Sequence, residues 1–102
     1  MHSIVLRVAH DHPSFAGHFP GEPLLPGVVL LSEVLEAALA EPALAALVGA
    51  APRVGAAKFL APVRPGAELM LQLTGAERAL RFEVRDGERL VASGHFETGA
   101  AR

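Results

Sequence analysis

The chain has 102 residues, 51% of them hydrophobic and 20% charged, which is enough apolar material for one modest core and unlike a disordered protein. Its formal net charge of −2 gives no global argument for nucleic acid or an anionic membrane, and its lack of cysteine excludes disulfides, thiol nucleophiles and cysteine-based metal sites. The length leads us to expect one domain over residues 1–102. We recognise neither a signal peptide nor a membrane-spanning run, and we expect the protein in the cytoplasm.

The first half of the chain predicts a strand, a stiff loop and a long helix. Residues 3–9 alternate between apolar and polar side chains, which indicates a strand. Three prolines and three glycines in residues 15–27 leave that segment little freedom to be helix or strand. Pro26 suits a first helical turn and Pro42 should end the helix, so we expect about four turns over roughly residues 27–41. Since this helix is apolar almost all round, we expect it to be buried.

The second half predicts four strands separated by turns. Residues 43–48 are consistent with one more short turn, and the strands then follow at residues 53–60, 67–74, 79–85 and 89–97. Asp86-Gly87 is a hairpin signal between the last two strands. The side chains expected to face the core alternate along the last three strands: Leu69, Leu71, Leu73, Leu80, Phe82, Val84, Leu90, Ala92, Gly94 and Phe96.

This order of elements predicts an α+β fold. Antiparallel strands with one face packed on a helix bury that helix, and an antiparallel sheet of about five strands wrapped around one long apolar helix is the hot-dog arrangement. The sheet has open edges and the core is small, so we expect a homodimer or a higher assembly of dimers.

The loop before the helix carries His18, the main candidate for chemistry. An imidazole on a rigid loop lies here just before a helix N-terminus, where backbone N–H groups and the positive end of the helix dipole are available. Those groups can bind a thioester oxygen while a base removes a proton α to the carbonyl. A histidine near prolines is also commonly a loop residue bonded to the backbone, and without the surrounding motif we favour that simpler interpretation.

Ser32, Glu33 and Glu36 form a narrow polar stripe on the predicted helix. Because position advances by about 100° per residue, Glu36 lies about 40° from Ser32 and Glu33 about 100° from it. A carboxylate on a buried helix is costly unless it is paired or functional. For Glu33 we favour a position facing solvent at the sheet rim or at a dimer seam, whereas for Glu36 such a position and a functional role are equally supported.

Two further patterns give weaker signals. His10 and His12 could join His18 in a metal cluster, but no carboxylate or cysteine joins them at a recognised spacing, so we expect neither a metal nor a cofactor. Residues 53–64 carry three basic side chains and no acid. The simpler explanation is that these are solvated side chains at strand ends. The functional alternative is a basic patch that binds a phosphorylated carrier or an acidic partner.

Two segments carry a family resemblance. Residues 17–28 read GHFPGEPLLPGV, which resembles the GHFPGxPxxPGV signature of the hot-dog 3-hydroxyacyl-acyl-carrier-protein dehydratases. Residues 58–66 read KFLAPVRPG and are similar to that family's KF-x-x-PV-x-PGD segment, with Ala67 at the usual Asp position. Residues 92–94 resemble the pattern of the last strand. The short chain is similar to the thioester dehydratases of aryl-polyene pigment pathways.

The resemblance implies a role for each matching residue. His18 would be the base that removes a C2 proton from a 3-hydroxyacyl thioester of a carrier protein or CoA, giving the trans-2-enoyl thioester. The family's acid stands fourteen positions after the histidine, on the partner subunit's helix; here that position is Ser32, so Glu36 becomes the alternative acid. The N–H of Gly27 would be the oxyanion donor. The flanking residues expected to contact substrate are Pro26, Val28 and Phe19.

Two other functions stay open at this point. Ser32 at the acid position favours a non-catalytic subunit that binds acyl thioesters or their carrier and assists an active partner. A hot-dog thioesterase, in which Glu36 activates water, is a weaker alternative because the His18 loop resembles the dehydratases. Neither nucleic acid nor a membrane is expected as a partner.

Overall fold

Two helices lie between the first strand and the four strands that follow. A computed structural model describes residues 2–8, 25–49 and 53–98. The elements are β1 (His2–Arg7), α1 (Gly27–Leu39), α2 (Pro42–Val48), β2 (Arg53–Phe59), β3 (Glu68–Ala76), β4 (Ala79–Asp86) and β5 (Arg89–Glu97). All five predicted strands are therefore present, and their bounds agree with the predicted ones to within two residues.

The five strands form one antiparallel sheet in the order β1-β3-β4-β5-β2. β3, β4 and β5 are joined by tight hairpins, because Ala76 pairs with Ala79 and Asp86 pairs with Arg89. The chain segments before and after the helices thus become the two edges, β1 and β2. The predicted α+β class and the sheet of about five strands are confirmed.

The core lies on the face of the sheet that carries alternate side chains of β3 and β4. Leu69, Leu71 and Leu73 have no exposed surface, and on β4 Leu80, Phe82 and Val84 are buried in the same way. The rings of Phe82 and Phe96 lie 5.2 Å apart between centroids, which is within the favourable range for an aromatic pair. The alternation in the sequence therefore predicted this face correctly.

On β5 the predicted alternation is wrong at one position. The register shifts between Val84 and Arg85, so that Ala92 pairs with Val84 whereas Leu90 pairs with Arg85. This irregularity places Leu90 beside an outward-facing residue, and the fully buried side chain is Val91 instead. A bulge of this kind adds one residue to one strand and reverses the faces beyond it.

The helix predicted over roughly residues 27–41 is present as α1, but the expected single helix is not confirmed, because α2 follows it. α1 ends at Leu39, and α2 is a separate seven-residue helix with Pro42 in its first turn. Proline cannot continue a helix but suits its first positions, so Pro42 ends one helix and begins another.

Only one face of α1 is buried in a single chain. Leu30, Val34 and Ala38 have at most 3% of their surface exposed, whereas Val28 is 71% exposed and Leu39 42%. A sheet of five strands covers one side of the helix, so the expected burial all round is not confirmed.

Residues 60–67 cross from β2 to β3 and connect the sheet to the start of α1. The N–H of Leu60 donates to the carbonyl of Val91 at 2.8 Å, and the N–H of Leu25 donates to the carbonyl of Val63 at 2.9 Å. Val63 itself is buried. These contacts hold the end of β2 beside the N-terminus of α1, and the candidate site lies between them.

Candidate functional site

An apolar cavity lies where the first turn of α1 meets the end of β2. It has a volume of about 410 Å³. Its walls are Leu25, Gly27 and Leu30 on one side and residues 59–63 on the other. Most of these side chains are hydrocarbon, so the cavity suits an apolar group with few polar atoms.

The first turn of α1 supplies the polar groups beside this cavity. Pro26 is the N-cap and makes no side-chain capping hydrogen bond. The N–H groups of Val29 and Leu30 both donate to the carbonyl of Pro26, each at 3.0 Å. The N–H groups of the first two helical residues, Gly27 and Val28, have no intrahelical acceptor because of their position. The positive end of the helix dipole lies at the same place, so a carbonyl oxygen that gains negative charge would be stabilised there.

Phe59 approaches Gly27 closely and was not singled out in the sequence. A Cβ on Gly27 would lie 3.0–3.1 Å from the three outermost ring atoms of Phe59. A side chain at residue 27 would therefore require the ring to shift by a few tenths of an ångström. The signal available beforehand was the Lys58-Phe59 pair in the second matching segment.

The two candidate acids lie on the exposed side of α1. Ser32 is exposed, and its hydroxyl donates to the carbonyl of Val28 at 3.2 Å. Glu36 is also exposed, one turn further along, whereas Glu33 is partly buried. Neither Ser32 nor Glu36 lines the cavity of its own chain.

Several predicted site residues fall outside the described residues. His18 and Phe19 are among them, as are His10 and His12, so their roles stay predictions. Within residues 2–8, 25–49 and 53–98, no group of three His, Cys, Asp or Glu side chains is placed to hold a metal ion.

The three basic side chains of residues 53–64 are exposed. In the described part of the chain, ion pairs join Arg7 to Glu68 at 3.0 Å and Arg85 to Glu83 at 3.1 Å. No such pair forms at Arg53, Lys58 or Arg64 within the same ranges. In the sequence, Lys58 and Arg64 directly flank residues 59–63, which line the cavity.

Comparison with protein families gives a match over almost the whole chain. Residues 1–95 match the ApeI-like family, described as ApeI dehydratase. The chain belongs to the ApeI-like dehydratase family. The resemblance to the hot-dog 3-hydroxyacyl-acyl-carrier-protein dehydratases is thereby confirmed at the level of the family.

Curated relatives of this ApeI-like chain are named 3-hydroxyacyl-[acyl-carrier-protein] dehydratase FabZ. The relative from Symbiobacterium thermophilum is 36% identical over 73 residues, which cover 68% of this chain and 51% of the relative. A relative from Thermus thermophilus is 38% identical over 75 residues, which cover 65% and 50%. The matched region thus spans about half the length of these curated relatives.

Solved structures agree with the fold of the ApeI-like chain. The dehydratase heterocomplex ApeI:P from Xenorhabdus doucetiae contains a chain that matches with a TM-score of 0.73 and 27% identity, over 93% of this chain and 83% of that one. A point mutant of the fluoroacetyl-CoA-specific thioesterase FlK matches with a TM-score of 0.67 but only 17% identity, over 95% and 85%, so it supports the fold alone. None of the described helices is both long and apolar enough to cross a membrane.

Proposed function

We propose that this protein removes water from a 3-hydroxyacyl thioester to give a trans-2-enoyl thioester. The observation that carries the proposal is the apolar cavity at the N-terminus of α1 in a member of the ApeI-like dehydratase family. The cavity offers an apolar wall for an acyl chain, and the Gly27 N–H beside it suits a carbonyl oxygen. A single hot-dog domain over residues 1–102 remains part of this proposal.

The proposed reaction needs a base, an oxyanion donor and an acid. His18 takes the C2 proton, and the electron pair left on C2 is delocalised onto the thioester oxygen, where the N–H of Gly27 binds it. The pair then forms the C2=C3 double bond as the C3–O bond breaks, and the hydroxyl leaves as water with a proton from the acid. Pro26, Val28 and Phe19 surround the reacting carbonyl in this proposal.

The acid of the proposed site cannot be assigned by matching positions to the family. Ser32 stands at the family's acid position, and its hydroxyl is occupied by the carbonyl of Val28. A hydroxyl is also a far weaker proton donor than a carboxylic acid. Glu36 lies on the same exposed side of α1, one turn further along. We therefore assign the acid to Glu36, acting in the site of a neighbouring subunit.

The site is proposed to lie between two copies of the chain. β2 is an edge strand with six of its seven residues exposed. Four exposed large apolar residues lie on it, just after it or at the start of α1: Val28, Val54, Phe59 and Leu60. A second copy that pairs along β2 would cover this surface and would satisfy the open edge. The matching structure from Xenorhabdus doucetiae is a heterocomplex, so a related but different hot-dog chain is the alternative partner.

The thioester carrier is proposed to be an acyl-carrier protein. The FabZ relatives are named for that substrate class. Lys58 and Arg64 flank the cavity-lining residues 59–63 in the sequence, are exposed and form no ion pair among the described residues, so they are available to an acidic or phosphorylated partner. The pathway is proposed to be fatty-acid or polyene-type biosynthesis in the cytoplasm.

Turnover of a 3-hydroxyacyl thioester, offered on an acyl-carrier protein and on CoA, tests the proposal. We expect the wild type to form the enoyl product, and faster from the carrier-bound substrate. His18→Ala should lower the rate by roughly 10²–10⁴-fold, the usual contribution of a general base. Glu36→Gln should lower it by about 10²-fold, at the lower end of the contribution of a general acid, whereas Ser32→Ala should stay close to the wild type.

Glu41→Gln is the matched control for Glu36→Gln, since it makes the same change beyond the end of α1. A His18→Ala variant as fast as the wild type would contradict the proposed mechanism.

Ser32 at the acid position favours one second candidate function, that of a non-catalytic subunit. That candidate predicts no turnover by the chain alone and turnover once an active hot-dog partner is added. Release of free thiol without enoyl product would indicate a thioesterase instead.

A further inference from the structure

One aromatic ring joins the end of β2 to the first turn of α1. The three outermost ring atoms of Phe59 lie 3.0–3.1 Å from the place that a Cβ on Gly27 would occupy. Carbon atoms in ordinary contact are about 3.5–4.0 Å apart. The ring thus lies close to the helix at a residue that lacks a side chain, and a methyl group there would press on it.

The ring lies at the cavity and not in the core. Phe59 is 48% exposed, whereas Leu30 and Val63 on the same cavity are at most 3% exposed. A phenyl ring that keeps half of its surface accessible contributes less to stability than a buried one. Gly27 and Phe59 line the cavity together, so their close approach lies at the cavity wall.

We propose that Phe59 is a positioning residue for the dehydration, an inference that rests on the function proposed above. The ring holds the first turn of α1 against the end of β2 and keeps water away from the Gly27 side of the cavity. The Gly27 N–H then keeps its direction towards the thioester oxygen while negative charge grows there. An N–H donor is more effective when it is fixed in advance and shielded from water.

The role depends on the shape of the ring, since Phe59 has no proton to give. A side chain at residue 27 and a smaller side chain at residue 59 should therefore disturb the same contact. Gly27→Ala would displace the ring by a few tenths of an ångström, because its Cβ would lie 3.0–3.1 Å from the ring atoms. Phe59→Ala would remove the ring and leave the first turn of α1 open to water.

The experiment measures kcat and KM for 3-hydroxyacyl thioester dehydration by the wild type, Phe59→Leu, Phe59→Ala, Gly27→Ala and the double variant. We expect Phe59→Ala and Gly27→Ala each to lower kcat on the order of tenfold, with a smaller change in KM, and Phe59→Leu to fall between. The double variant should match the slower single variant within about threefold, since both changes break one contact. Val5→Ala, which alters a side chain of similar exposure on β1, should react at the wild-type rate.

The outcomes separate this inference from the proposed function. A wild type that forms no enoyl product overturns the proposed function and the role of Phe59 with it. An active wild type whose Phe59→Ala variant keeps its kcat overturns the role of Phe59 alone. The role of Phe59 alone is also overturned if Phe59→Ala raises KM without lowering kcat. It is likewise overturned if the kcat of the double variant falls by about the product of the two single losses, on the order of a hundredfold. Should Phe59→Ala fail to fold, the kcat values of Phe59→Leu and Gly27→Ala test the role of Phe59 instead.

Discussion

Three glycines illustrate that the same residue type serves different purposes in this chain. A Cβ on Gly94 would overlap the carbonyl oxygen of Ala56 and the ring of Phe82. Gly87 has φ +64° in the β4–β5 turn, and a Cβ there would meet nothing within 4 Å. A Cβ on Gly55 would overlap the imidazole ring of His95, which is the far end of a side chain that can move. Gly94 is thus restricted by neighbouring backbone, Gly87 by its own backbone conformation, and Gly55 by a movable side chain.

Substitution of each glycine by alanine should lower the free energy of unfolding by a different amount. Gly94→Ala should lower the free energy of unfolding by about 3 kcal/mol, since the backbone of β2 must move to admit the methyl group. Gly87→Ala should cost about 1 kcal/mol, the strain of a left-handed backbone. Gly55→Ala should change stability by less than about 0.5 kcal/mol because His95 can swing aside. Urea denaturation checks the order, and equal losses at all three would contradict it.

The contact of Phe59 with Gly27 could not be predicted from the sequence. Pro26 and Gly27 mark the start of a helix, and that local signal was sufficient to predict α1. The neighbour of Gly27 depends on β2 pairing with β5 and on residues 60–63 turning back towards α1. Such contacts between distant segments have no local signature, so the motif indicated the polar donor but not the ring that lies over it.

Among the elements, α2 differs most from what its sequence predicted. Residues 43–48 were expected to form a short turn, yet Leu44 and Val48 are buried against the sheet. Leu47 lies next to Gly75 of β3, where a Cβ would be 3.0 Å from its methyl carbon. A seven-residue helix is too short to be stable alone, so α2 depends on this packing, which the sequence does not reveal.

Two leucines one turn apart test this dependence. Leu44 is 3% exposed and Leu47 is 36% exposed. Leu44→Ala should lower the free energy of unfolding by about 3 kcal/mol, as expected for a fully buried leucine. Leu47→Ala makes the same chemical change and should cost about 1 kcal/mol, because much of that side chain already contacts water. Thermal or urea unfolding measures both, and a small, equal loss would mean that α2 is only a loose turn.

At the scale of the whole molecule, the two sheet edges are not equivalent. On β1, every second side chain is partly buried and Arg7 forms an ion pair with Glu68. On β2, only Ala57 is partly buried. The sequence predicted that the sheet has edges and therefore favoured a dimer. Which edge a partner would use follows only from the strand order and the exposure of each strand.

A lysine at each edge in turn tests which one pairs. Val54 on β2 is 51% exposed and Val5 on β1 is 50% exposed. We expect Val54→Lys to convert a dimer into monomers, because a charge at a paired edge opposes association. Val5→Lys should leave the dimer intact. Sedimentation velocity distinguishes the two, and a Val54→Lys variant that sediments as a dimer would contradict pairing through β2.

The strand order also bears on how the chain reaches its native state. β3, β4 and β5 form a meander whose pairings join residues close in sequence, so this unit can assemble early. β1 pairs with β3 across about sixty intervening residues. The entropy cost of closing this long loop arises before the strand contacts that offset it can form. Proteins rich in such distant pairings fold in milliseconds to seconds. During that interval the incomplete meander exposes the strand edge that β1 later covers, which makes this stage the most vulnerable to aggregation during synthesis.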